Sequence, residues 1–443
     1  MVGVTATADP RSAIDAVWRI ESPRLIAGLA RMTRDIGLAE ELAQDALVAA
    51  LEQWPESGVP RNPGAWLMTT AKRRAVDTFR RNERYVRKLG EIGREQEFEE
   101  EPDFIAGLDD HIEDDLLRLV FTACHPVLST EARVALTLKM IGGLQTHEIA
   151  RAFLAKETAI AQRIVRAKKT LGDAKVPFEV PEGEDRVARL SSVLEVIYLI
   201  FNEGYSATAG EDWMRPGLCD EALRLGRILA GLMPKEPEVH GLVSLMEIQA
   251  SRSAARVGPN GEPVLLMDQD RAKWNRILIG RGLAALELAE ALADGAFGIY
   301  AAQAAIAACH ARARVGEETD WGRIAVLYEG LGKLNPSPVI ELNRAVALSM
   351  AFGPEAGLEV VDKLTSEPAL KSYHLLPSVR GDFLAKLGRL DEARVEFERA
   401  AEMTGNDRER TLLLNRAADC TPGPSPDSGP ADRAGRAGRT GRK

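Results

Sequence analysis

The amino-acid sequence predicts an all-α protein. Alanine, leucine, arginine and glutamate dominate its 443 residues, and long stretches lack the β-branched runs that strands favour. Apolar residues recur at helical spacing through most of the chain, and proline- and glycine-rich stretches interrupt this pattern at a few places. A chain of this length exceeds one compact core, so we expect several helical domains.

Composition and charge narrow the function. The formal net charge of -9 argues against a protein that coats nucleic acid or membranes without specificity, although a local basic face remains compatible with it. The four cysteines lie far apart without a C-x-x-C pair, which is typical of a reducing compartment and excludes a cysteine-rich zinc module. We predict a cytoplasmic location without membrane contact, because no signal peptide is visible and the most apolar run, "VLEVIYLIF", is far short of the roughly 20 residues of a span.

Shifts in composition divide the chain into segments. The first helical block is broken by the loop "WPESGVPRNPG", and a strongly acidic, non-periodic stretch separates it from a second block that closes at "KVPFEVPEGE". A third block is helical except for "VGPNGEPVLLMDQD", which predicts a small hairpin or ordered loop. The tail is of low complexity and we expect it to be disordered. The predicted segments are residues 11–90, the linker 91–112, residues 113–175, a helical extension at 185–290, helical repeats at 291–418 and the tail 419–443.

A repeat period appears late in the third block. In "RGDFLAKLGRLDEARVEFERAAEMTG", a glycine, two alanines and a phenylalanine occupy the characteristic places of a 34-residue tetratricopeptide (TPR) unit. Small residues at these places let two antiparallel helices approach closely. The alternative is a generic helical bundle. The characteristic residues are Gly381, Ala393, Phe397 and Ala400, and weaker copies are Ala356 with Val360 and Gly322 with Val326.

Residues 62–85, "NPGAWLMTTAKRRAVDTFRRNERY", combine a tryptophan and an apolar ladder with a dense cluster of basic residues. Helical spacing predicts that Leu67, Ala71, Ala75, Val76 and Phe79 pack inward. Taken alone, the basic face fits a merely solvated surface as well as a nucleic-acid contact. This face comprises Lys72, Arg73, Arg74, Arg80, Arg81, Arg84, Arg87 and Lys88.

Residues 143–171, "GLQTHEIARAFLAKETAIAQRIVRAKKTL", have the pattern of a helix-turn-helix, with an ordinary helical hairpin as the alternative. Thr146 is placed to cap the first helix and Glu148 to complement its dipole. The buried face predicted for the first helix is Ile149, Ala150 and Phe153, the turn falls at 154–157, and the second helix buries Ile160, Ile164, Ala167 and Leu171. The second helix exposes Thr158, Ala161, Gln162, Arg163, Arg166 and Lys169, of which the first would reach base edges and the later basic ones would hold phosphates.

Together these motifs resemble an extracytoplasmic-function sigma factor, a bacterial initiation factor of the sigma-70 family. "AEELAQDALVAALEQWP" resembles the helix that binds core polymerase, "NPGAWLMTTAKRRAVDTFRR" the regions that melt and read the -10 element, and the helix-turn-helix the region that reads the -35 element. The resemblance implies binding to promoter DNA and to the β′ clamp helices and β flap of core RNA polymerase. The implied -10 contacts are Trp66, Lys72, Arg73, Arg74, Asp77, Arg80, Arg81 and Arg84; the implied -35 contacts are Thr146, Thr158, Ala161, Gln162, Arg163, Arg166 and Lys169; the implied polymerase contacts are Glu41, Gln44, Asp45 and Leu47.

The physical chemistry of promoter opening agrees with this resemblance. Capture of an unpaired base needs an aromatic or apolar platform beside a phosphate-binding face. The loop "PESGVPRNPG" stands where the family holds its flipped -10 base. For the acidic linker two interpretations stay open: it occupies the RNA path of the polymerase, as in the family, or it is a solvated tether.

The rest of the chain resembles a subgroup with a large, TPR-containing helical extension. "IYLIFNEGYSAT" and "VLLMDQDRAKWN" look like signature segments of that subgroup. Their polar residues either line a pocket or serve as caps and ties between helices. The pocket candidates are Asn202, Glu203, Asp268, Asp270 and Arg271.

The sequence contains no H-E-x-x-H, G-x-S-x-G or phosphate-loop motif, so we expect no catalytic residue, metal or cofactor. The predicted function is a sigma factor that directs core polymerase to promoters, melts the -10 region and is regulated by its extension. The extension would hold a peptide, a protein or a small molecule, or only contact neighbouring domains. The alternative is a one-component helix-turn-helix regulator with a TPR sensor that acts without polymerase, and an enzymatic extension is a distant third.

Overall fold

The computed structural model describes residues 10–90, 112–153, 155–206, 214–259 and 262–420. For residues 10–12, 81–90 and 112–113 it describes the backbone alone. Within these residues the chain forms eighteen α-helices, a few 3₁₀ turns and no β-strand, apart from one isolated bridge. The all-α prediction is therefore confirmed. No helix in the described part of the chain is both long and apolar enough to cross a bilayer. The expected acidic linker, except residue 112, and the expected C-terminal tail, except residues 419 and 420, lie outside the described residues.

Three long helices form the first helical module. They are α1 (Pro10–Thr33), α2 (Ile36–Ser57) and α3 (Pro63–Gly90). The Asp35 carboxylate caps α2 by accepting hydrogen bonds from the backbone of Gly37 and Leu38. The predicted loop at residues 54–64 begins later than expected, because α2 continues through Pro55 and ends only where Gly58 takes a positive φ of 80°.

Four shorter helices form the helix-turn-helix module. They are α4 (Ile112–Ala123), α5 (Thr130–Met140), α6 (Thr146–Ala152) and α7 (Glu157–Asp173). Ser129 caps α5 through its hydroxyl group, which accepts from the backbone of Ala132. The chain then passes through a proline-containing segment into the long extension.

The extension consists of helices α8 to α18. Several begin with proline in the first turn, where its missing N–H leaves no backbone acceptor unpaired, and others are capped by asparagine, serine or aspartate. The helices are α8 (Gly183–Tyr205), α9 (Pro216–Leu232), α10 (Pro237–Ala250), α11 (Arg276–Leu292), α12 (Ile299–Arg312), α13 (Trp321–Leu334), α14 (Pro338–Phe352), α15 (Pro354–Leu364), α16 (Leu375–Lys386), α17 (Leu390–Met403) and α18 (Asp407–Asp419).

The connection between α10 and α11 contains the expected hairpin-like loop. Val257 and Pro263 form the isolated antiparallel bridge, and the Val264 amide donates to the carbonyl of Arg256 at 2.8 Å. Residues 260 and 261 lie outside the described residues. The loop is thus ordered by backbone bonds at its base.

The last helices pair closely through small residues. A Cβ atom at Gly381 in α16 would stand 2.9 Å from the Phe397 ring of α17, so the glycine is what lets this ring approach. Ala393, Phe397 and Ala400 are buried in the core that these helices share, as the repeat pattern predicts.

The two weaker copies of the repeat differ in whether their predicted residues are buried. Gly357 and Val361 are buried in α15, one position after the predicted pair Ala356 and Val360, which are half-buried. A Cβ at Gly357 would meet the Phe383 ring at 2.7 Å, so the same kind of close approach recurs there. The prediction for Gly322 and Val326 is wrong, because both are exposed on α13 and Val326 is 68% accessible.

One continuous hydrophobic core joins the N-terminal half of the molecule. It runs from Ile14 in α1 to Ala250 in α10 and includes buried side chains of the first helical module, the helix-turn-helix module and the start of the extension. Three smaller clusters hold the remaining helices of the extension together. The two N-terminal modules are therefore packed against each other.

Candidate nucleic-acid interface

Helix α6 begins with a reciprocal cap. Its N-cap is Gln145, whose backbone amide donates to Glu148 Oε2 at 2.8 Å, and Thr146 is the first helical residue. The prediction that Thr146 caps the helix is wrong by one position, because Glu148 sits three residues after Gln145 and so completes a capping box there. Thr146 is half-buried at this corner.

The helix-turn-helix packs as the sequence predicts. Ile149 and Ala150 of α6 are buried, Phe153 is half-buried, and all four predicted core residues of α7 are buried. The Ala155 amide donates to the carbonyl of Ala150 at 2.9 Å and closes the tight turn, in which residue 154 lies outside the described residues. The ordinary spacing of this motif thus leaves the outer face of α7 free for a ligand.

A single stripe of exposed residues runs along α7. Successive steps of three or four residues keep them on one side of the helix. Ala161 lies at the edge of the stripe and is half-buried. The stripe consists of Thr158, Gln162, Val165, Arg166 and Lys169.

Val165 is a member of this stripe that sequence reasoning missed. It is 60% exposed and lies between Gln162 and Lys169 along the stripe. Its position three residues after Gln162 was the available signal, but an apolar residue on an amphipathic helix is first assigned to the core. An exposed aliphatic side chain on such a helix is suited to contact a thymine methyl group in the major groove.

Arg163 points away from the stripe. It is half-buried and lines a small cavity of about 200 Å³ together with Glu131 of α5 and Leu199 and Glu203 of α8. One residue corresponds to a rotation of about 100°, so Arg163 lies on a different side of α7 from Gln162. Of the residues expected to read the -35 element, Arg163 is the one that faces the protein.

Helix α3 buries Leu67, Ala71 and Ala75, as expected. The predicted burial of Val76 and Phe79 is wrong, because they are 43% and 37% exposed. Each four-residue step advances about 40° around a helix, so the side chain at 79 has turned about 120° from the side at 67.

The basic side chains of α3 differ in their surroundings. Arg73, Asp77 and Arg80 are exposed, whereas Lys72 and Arg74 are half-buried. The guanidinium of Arg74 lies 3.4 Å from the Asp45 carboxylate of α2. The side chains of Arg81 and Arg84, also expected at the DNA, lie outside the described residues.

Trp66 is anchored at the start of α3. Its ring meets the ring of Trp54 edge to face, with centroids 5.2 Å apart, and Trp54 is buried. Trp66 itself is half-buried, and the Asn62 side chain accepts a hydrogen bond from the Ala65 amide beside it. The tryptophan pair therefore fixes the loop that precedes α3.

The outer face of α2 carries the residues expected at the polymerase. Glu41, Gln44 and Asp45 are exposed, but Leu47 is half-buried and packs against the core. Val48 and Leu51, which sequence reasoning missed, are 49% and 40% exposed on the side where these polar residues lie. The face is thus an apolar strip bordered by acidic and amide groups, which is the usual make-up of a protein-binding surface.

Four of the five residues proposed as a polar pocket in the extension make structural contacts. Glu203 pairs with Arg215, which also donates to the carbonyl of Ala152 at the end of α6. Arg271 donates to the carbonyls of His310 and Ala313 at 2.8 and 3.0 Å. Glu203 and Arg271 thus tie different parts of the fold.

The other three pocket candidates stand near the ends of local elements. Asp270 caps a 3₁₀ turn by accepting from the Ala272 amide at 2.9 Å, and Asp268 ends the preceding 3₁₀ turn. Asn202 lies in the last turn of α8 beside Tyr198, with which it shares a hydrogen bond. These contacts are of the cap-and-tie kind that the sequence left open as the alternative to a pocket.

Arginines of the extension form hydrogen bonds with the helix-turn-helix module. Arg189, Arg215 and Arg224 donate to backbone carbonyls of Phe121, Ala152 and Ile141 at 3.1, 2.7 and 2.8 Å. These carbonyls lie at the C-terminal ends of α4, α6 and α5, where helices leave acceptors unpaired and where positive charge is favourable.

Comparison with known protein families agrees with this geometry. The family described as "Sigma-70 region 2" matches residues 18–85, and the family "Sigma-70, region 4" matches residues 118–171. A third family, described as "Family of unknown function (DUF6596)", matches residues 189–290 in the extension.

The chain is also similar over most of its length to an uncharacterized protein of Rhizobium meliloti (strain 1021). The two are 44% identical over 401 residues, which cover 90% of this chain and 94% of that protein. They therefore belong to one family, extension included. The matches to regions 2 and 4 are those of a transcription factor that binds core RNA polymerase and promoter DNA. The chain belongs to the sigma-70 family of sigma factors, with a promoter-recognising role in transcription initiation.

Proposed function

We propose that this sigma factor is of the extracytoplasmic-function type, that it melts the -10 region through α3, and that its extension regulates its activity. The matched regions 2 and 4 are separated only by residues 86–117, which supports a compact factor built from these two regions. A sigma factor works where the polymerase is, so the expected cytoplasmic location follows from this proposal.

The observation that carries the proposal is the pair of exposed faces in one chain. Helix α7 presents Gln162 and Arg166 beside each other for a major groove, while α2 presents Val48 and Leu51 among acidic and amide side chains. A regulator that only binds duplex DNA needs the first face and has no use for the second. This favours the sigma factor over the one-component regulator.

The regulatory part of the proposal rests on the extension. Its close helix pairs, with Gly381 against Phe397 and Gly357 against Phe383, support TPR-like repeats. Its arginines hold the helix ends of the module that reads DNA, so a ligand that shifts α8 or α9 would change that module. The partner of the repeats would be a peptide, a protein or a small molecule.

The test is co-purification with core RNA polymerase, followed by transcription from a library of bacterial promoter fragments. We expect polymerase-dependent transcripts with defined start points, and a pre-melted template should reduce the dependence on α3. Binding to duplex DNA without any capture of polymerase would instead favour the one-component regulator.

Two matched valine substitutions sharpen this test. Val48→Glu on α2 should abolish polymerase capture, because it places a charge in the centre of the apolar strip. Val187→Glu on α8 changes a valine that is 68% exposed, and it should leave capture intact. Equal capture by both variants would contradict the assignment of the α2 face.

A further inference from the structure

A cavity of about 650 Å³ opens in the extension where the ends of several helices meet. Helix α8 lines it with side chains one turn apart, Leu190, Leu194 and Tyr198. The first residues of α10 and α12 and Asn335, just after α13, also line it. This volume falls in the range of about 300–1,000 Å³ in which proteins bind small molecules.

Aromatic and aliphatic side chains make up much of the cavity lining. The rings of Tyr198 and Tyr300 meet edge to face, with centroids 5.4 Å apart, and Leu194 and Ile299 also line the cavity. The Tyr198 hydroxyl group donates to Gln303 Oε1 at 3.1 Å. Burial raises the pKa of both tyrosines, so both phenols are neutral near neutral pH. The lining is therefore suited to an aromatic ligand.

The charges around the cavity are already compensated. Among the described residues, three charged side chains line it. Arg186 Nη2 lies 2.6 Å from Glu236 Oε1. The Glu238 carboxylate accepts from the backbone amides of Tyr300 and Ala301, in the first turn of α12, at 2.9 and 3.0 Å. A charged ligand would lose its hydration without gaining an unpaired opposite charge, so the site favours an uncharged one.

A hydrogen-bond donor of Arg186 is unused within the described part of the chain. Its Nε atom is buried and has no hydrogen-bond partner there. A buried donor without an acceptor is costly, and a ligand that supplies an acceptor removes that cost. A carbonyl oxygen meets this need without adding a charge.

Helix α8 connects the cavity to the helix-turn-helix module. Ser191 lines the cavity, whereas the next residue, Ser192, is buried and its hydroxyl group donates to the carbonyl of Cys124 at 2.6 Å. Arg189 donates to the carbonyl of Phe121 at 3.1 Å. Both acceptors lie at or just after the C-terminal end of α4. A ligand that fixes α8 would therefore also fix these contacts.

We propose that this cavity binds an uncharged aromatic molecule that carries a carbonyl or similar acceptor, and that its binding stabilises α4 through α8. Such a molecule is a signal that the extension reads directly. Its effect on promoter binding rests on the proposed function, whereas the site itself does not.

Prodan, an uncharged naphthyl ketone, serves as the probe because its emission shifts to the blue in apolar surroundings. The full-length chain should bind one Prodan molecule with a Kd below about 100 μM. Ser191→Trp places an indole ring in the cavity and should weaken binding at least about tenfold. Ala188→Trp, at an exposed position of α8 outside the cavity lining, should not. Equal affinities of the two variants, or no binding to the native chain, would overturn the site.

Two further variants address folding and ligand chemistry. Asn335→Trp, at an exposed lining position outside α8, should also weaken binding, so a folding defect of Ser191→Trp would not decide the test. Arg186→Lys keeps a positive charge beside Glu236 but lacks the Nε donor, and it should weaken Prodan binding at least about threefold. Full affinity in Arg186→Lys would contradict the assigned hydrogen bond.

An anionic dye tests the charge of the ligand. Anilinonaphthalene sulfonate should bind the cavity at least about tenfold more weakly than Prodan, because no unpaired positive charge awaits it. Binding as tight as that of Prodan, and lost in Ser191→Trp, would contradict the uncharged class.

Hydrogen exchange tests the transmission through α8. Prodan should slow the exchange of α4 amides at least about threefold in the native chain and not in Ser191→Trp. The amides of α18, whose buried side chains belong to a separate hydrophobic cluster, should not respond. Prodan binding without any change in α4 would refute the transmission.

Capture of core polymerase separates this inference from the proposed function. A chain that captures the polymerase but does not bind Prodan would overturn the site and leave the sigma-factor function intact. A chain that binds Prodan as expected but never captures the polymerase would count against the proposed function and leave the site in place.

Discussion

Adjacent residues of α7 have different roles, and this difference is testable. Gln162 lies in the exposed stripe, whereas Arg163 faces α5 and α8. Gln162→Ala should reduce discrimination between the -35 sequence and random duplex by about 1–3 kcal/mol. Arg163→Ala should leave that discrimination within error, because the side chain does not face the groove. Competition binding with both duplexes measures it, and a larger effect at Arg163 would reverse the assignment.

Arg80 on α3 is expected to contact phosphate rather than bases. Arg80→Ala should therefore weaken binding of the polymerase complex to all DNA sequences alike and lower the salt dependence by about one phosphate contact. Affinity at several salt concentrations provides the slope. Arg323→Ala, on an exposed part of α13, serves as the control. A sequence-dependent loss at Arg80 would show that it reads bases instead.

His310 at the end of α12 links stability to pH. Burial, followed by the nearby charges of Arg252 and Arg271, lowers the pKa of His310 from 6.5 to about 3. The unfolded chain binds a proton at this histidine near pH 6.5, whereas the folded chain resists it until about pH 3. The free energy of unfolding should therefore fall as the pH drops below about 6.5, by up to about 1.4 kcal/mol per pH unit.

Denaturant titrations at several pH values measure this slope. His310→Gln should flatten the dependence between about pH 6 and pH 5, where most carboxylates remain ionised. His147→Gln, at an exposed position of α6, should leave it unchanged. A slope that is the same in both variants would mean that other groups control it.

The cysteine thiols of this protein lack the exposure and the lowered pKa of a redox sensor. Burial raises the pKa of Cys124 to about 11 and that of Cys219 to about 12, and all four cysteines are buried. These thiols stay protonated at neutral pH and are poor nucleophiles. An activating signal for this protein is therefore better sought in a ligand or partner of the extension than in cysteine oxidation.

Among the elements, the helix-turn-helix was the most predictable from sequence. Its core positions follow the 3.6-residue period over two short helices, and the structure buries all four residues predicted for α7. The same rule was wrong for Phe79 of α3. Apolar residues spaced four apart drift around a long helix, so those near its end no longer face the helices that bury its start. Periodicity identifies a face, but only tertiary packing determines how far along the helix that face stays covered.

The repeat pattern was reliable only where a tight contact demands it. Gly381 was correctly placed against its partner helix because a large residue there would collide with Phe397. A Cβ at Gly322 would meet no side chain of a neighbouring helix. The same residue types at similar spacing therefore did not indicate close helix packing there. A glycine in a helix is informative when something fills the space that its missing Cβ leaves.

A pair of glycine substitutions tests this packing. Gly381→Ala should destabilise the last helices by about 1–3 kcal/mol, because the added methyl group would stand 2.9 Å from the Phe397 ring. The methyl group added by Gly330→Ala in α13 would have no atom within 4 Å. This substitution should be neutral or slightly stabilising, because alanine favours the helix more than glycine does. Thermal unfolding monitored by circular dichroism compares them, and equal transitions would argue against close packing at Gly381.

On the scale of the whole molecule, the sequence predicted two modules on a tether, and the structure packs them into one core. The contacts responsible join residues that are distant in the sequence, such as Glu40 and Lys168, which are 128 positions apart. No local period encodes such a pair. The contacts between arginines of the extension and the helix ends could not be predicted from the sequence either. An arginine on an amphipathic helix is first assumed to be exposed to solvent.

Those arginines make the extension part of the folded helix-turn-helix module. Arg189 is 5% exposed and bonds the carbonyl of Phe121, so its loss leaves a buried acceptor at the end of α4 without that donor. Arg189→Met should destabilise α4 and α5 by about 1–3 kcal/mol, with faster hydrogen exchange of their amides and weaker -35 binding. Arg281→Met, at an exposed position of α11, should change neither.

Truncation after Lys175 extends the same argument to all three arginines. It removes the donors to the ends of α4, α5 and α6 together and uncovers the apolar side chains that α8 and α9 bury. We expect the truncated protein to unfold at a lower denaturant concentration and to transcribe at a different level from the full chain in reactions with purified polymerase. If stability and transcription were both indistinguishable from those of the full chain, the extension would be an independent domain, and a ligand bound to its repeats could not act on DNA recognition through these contacts.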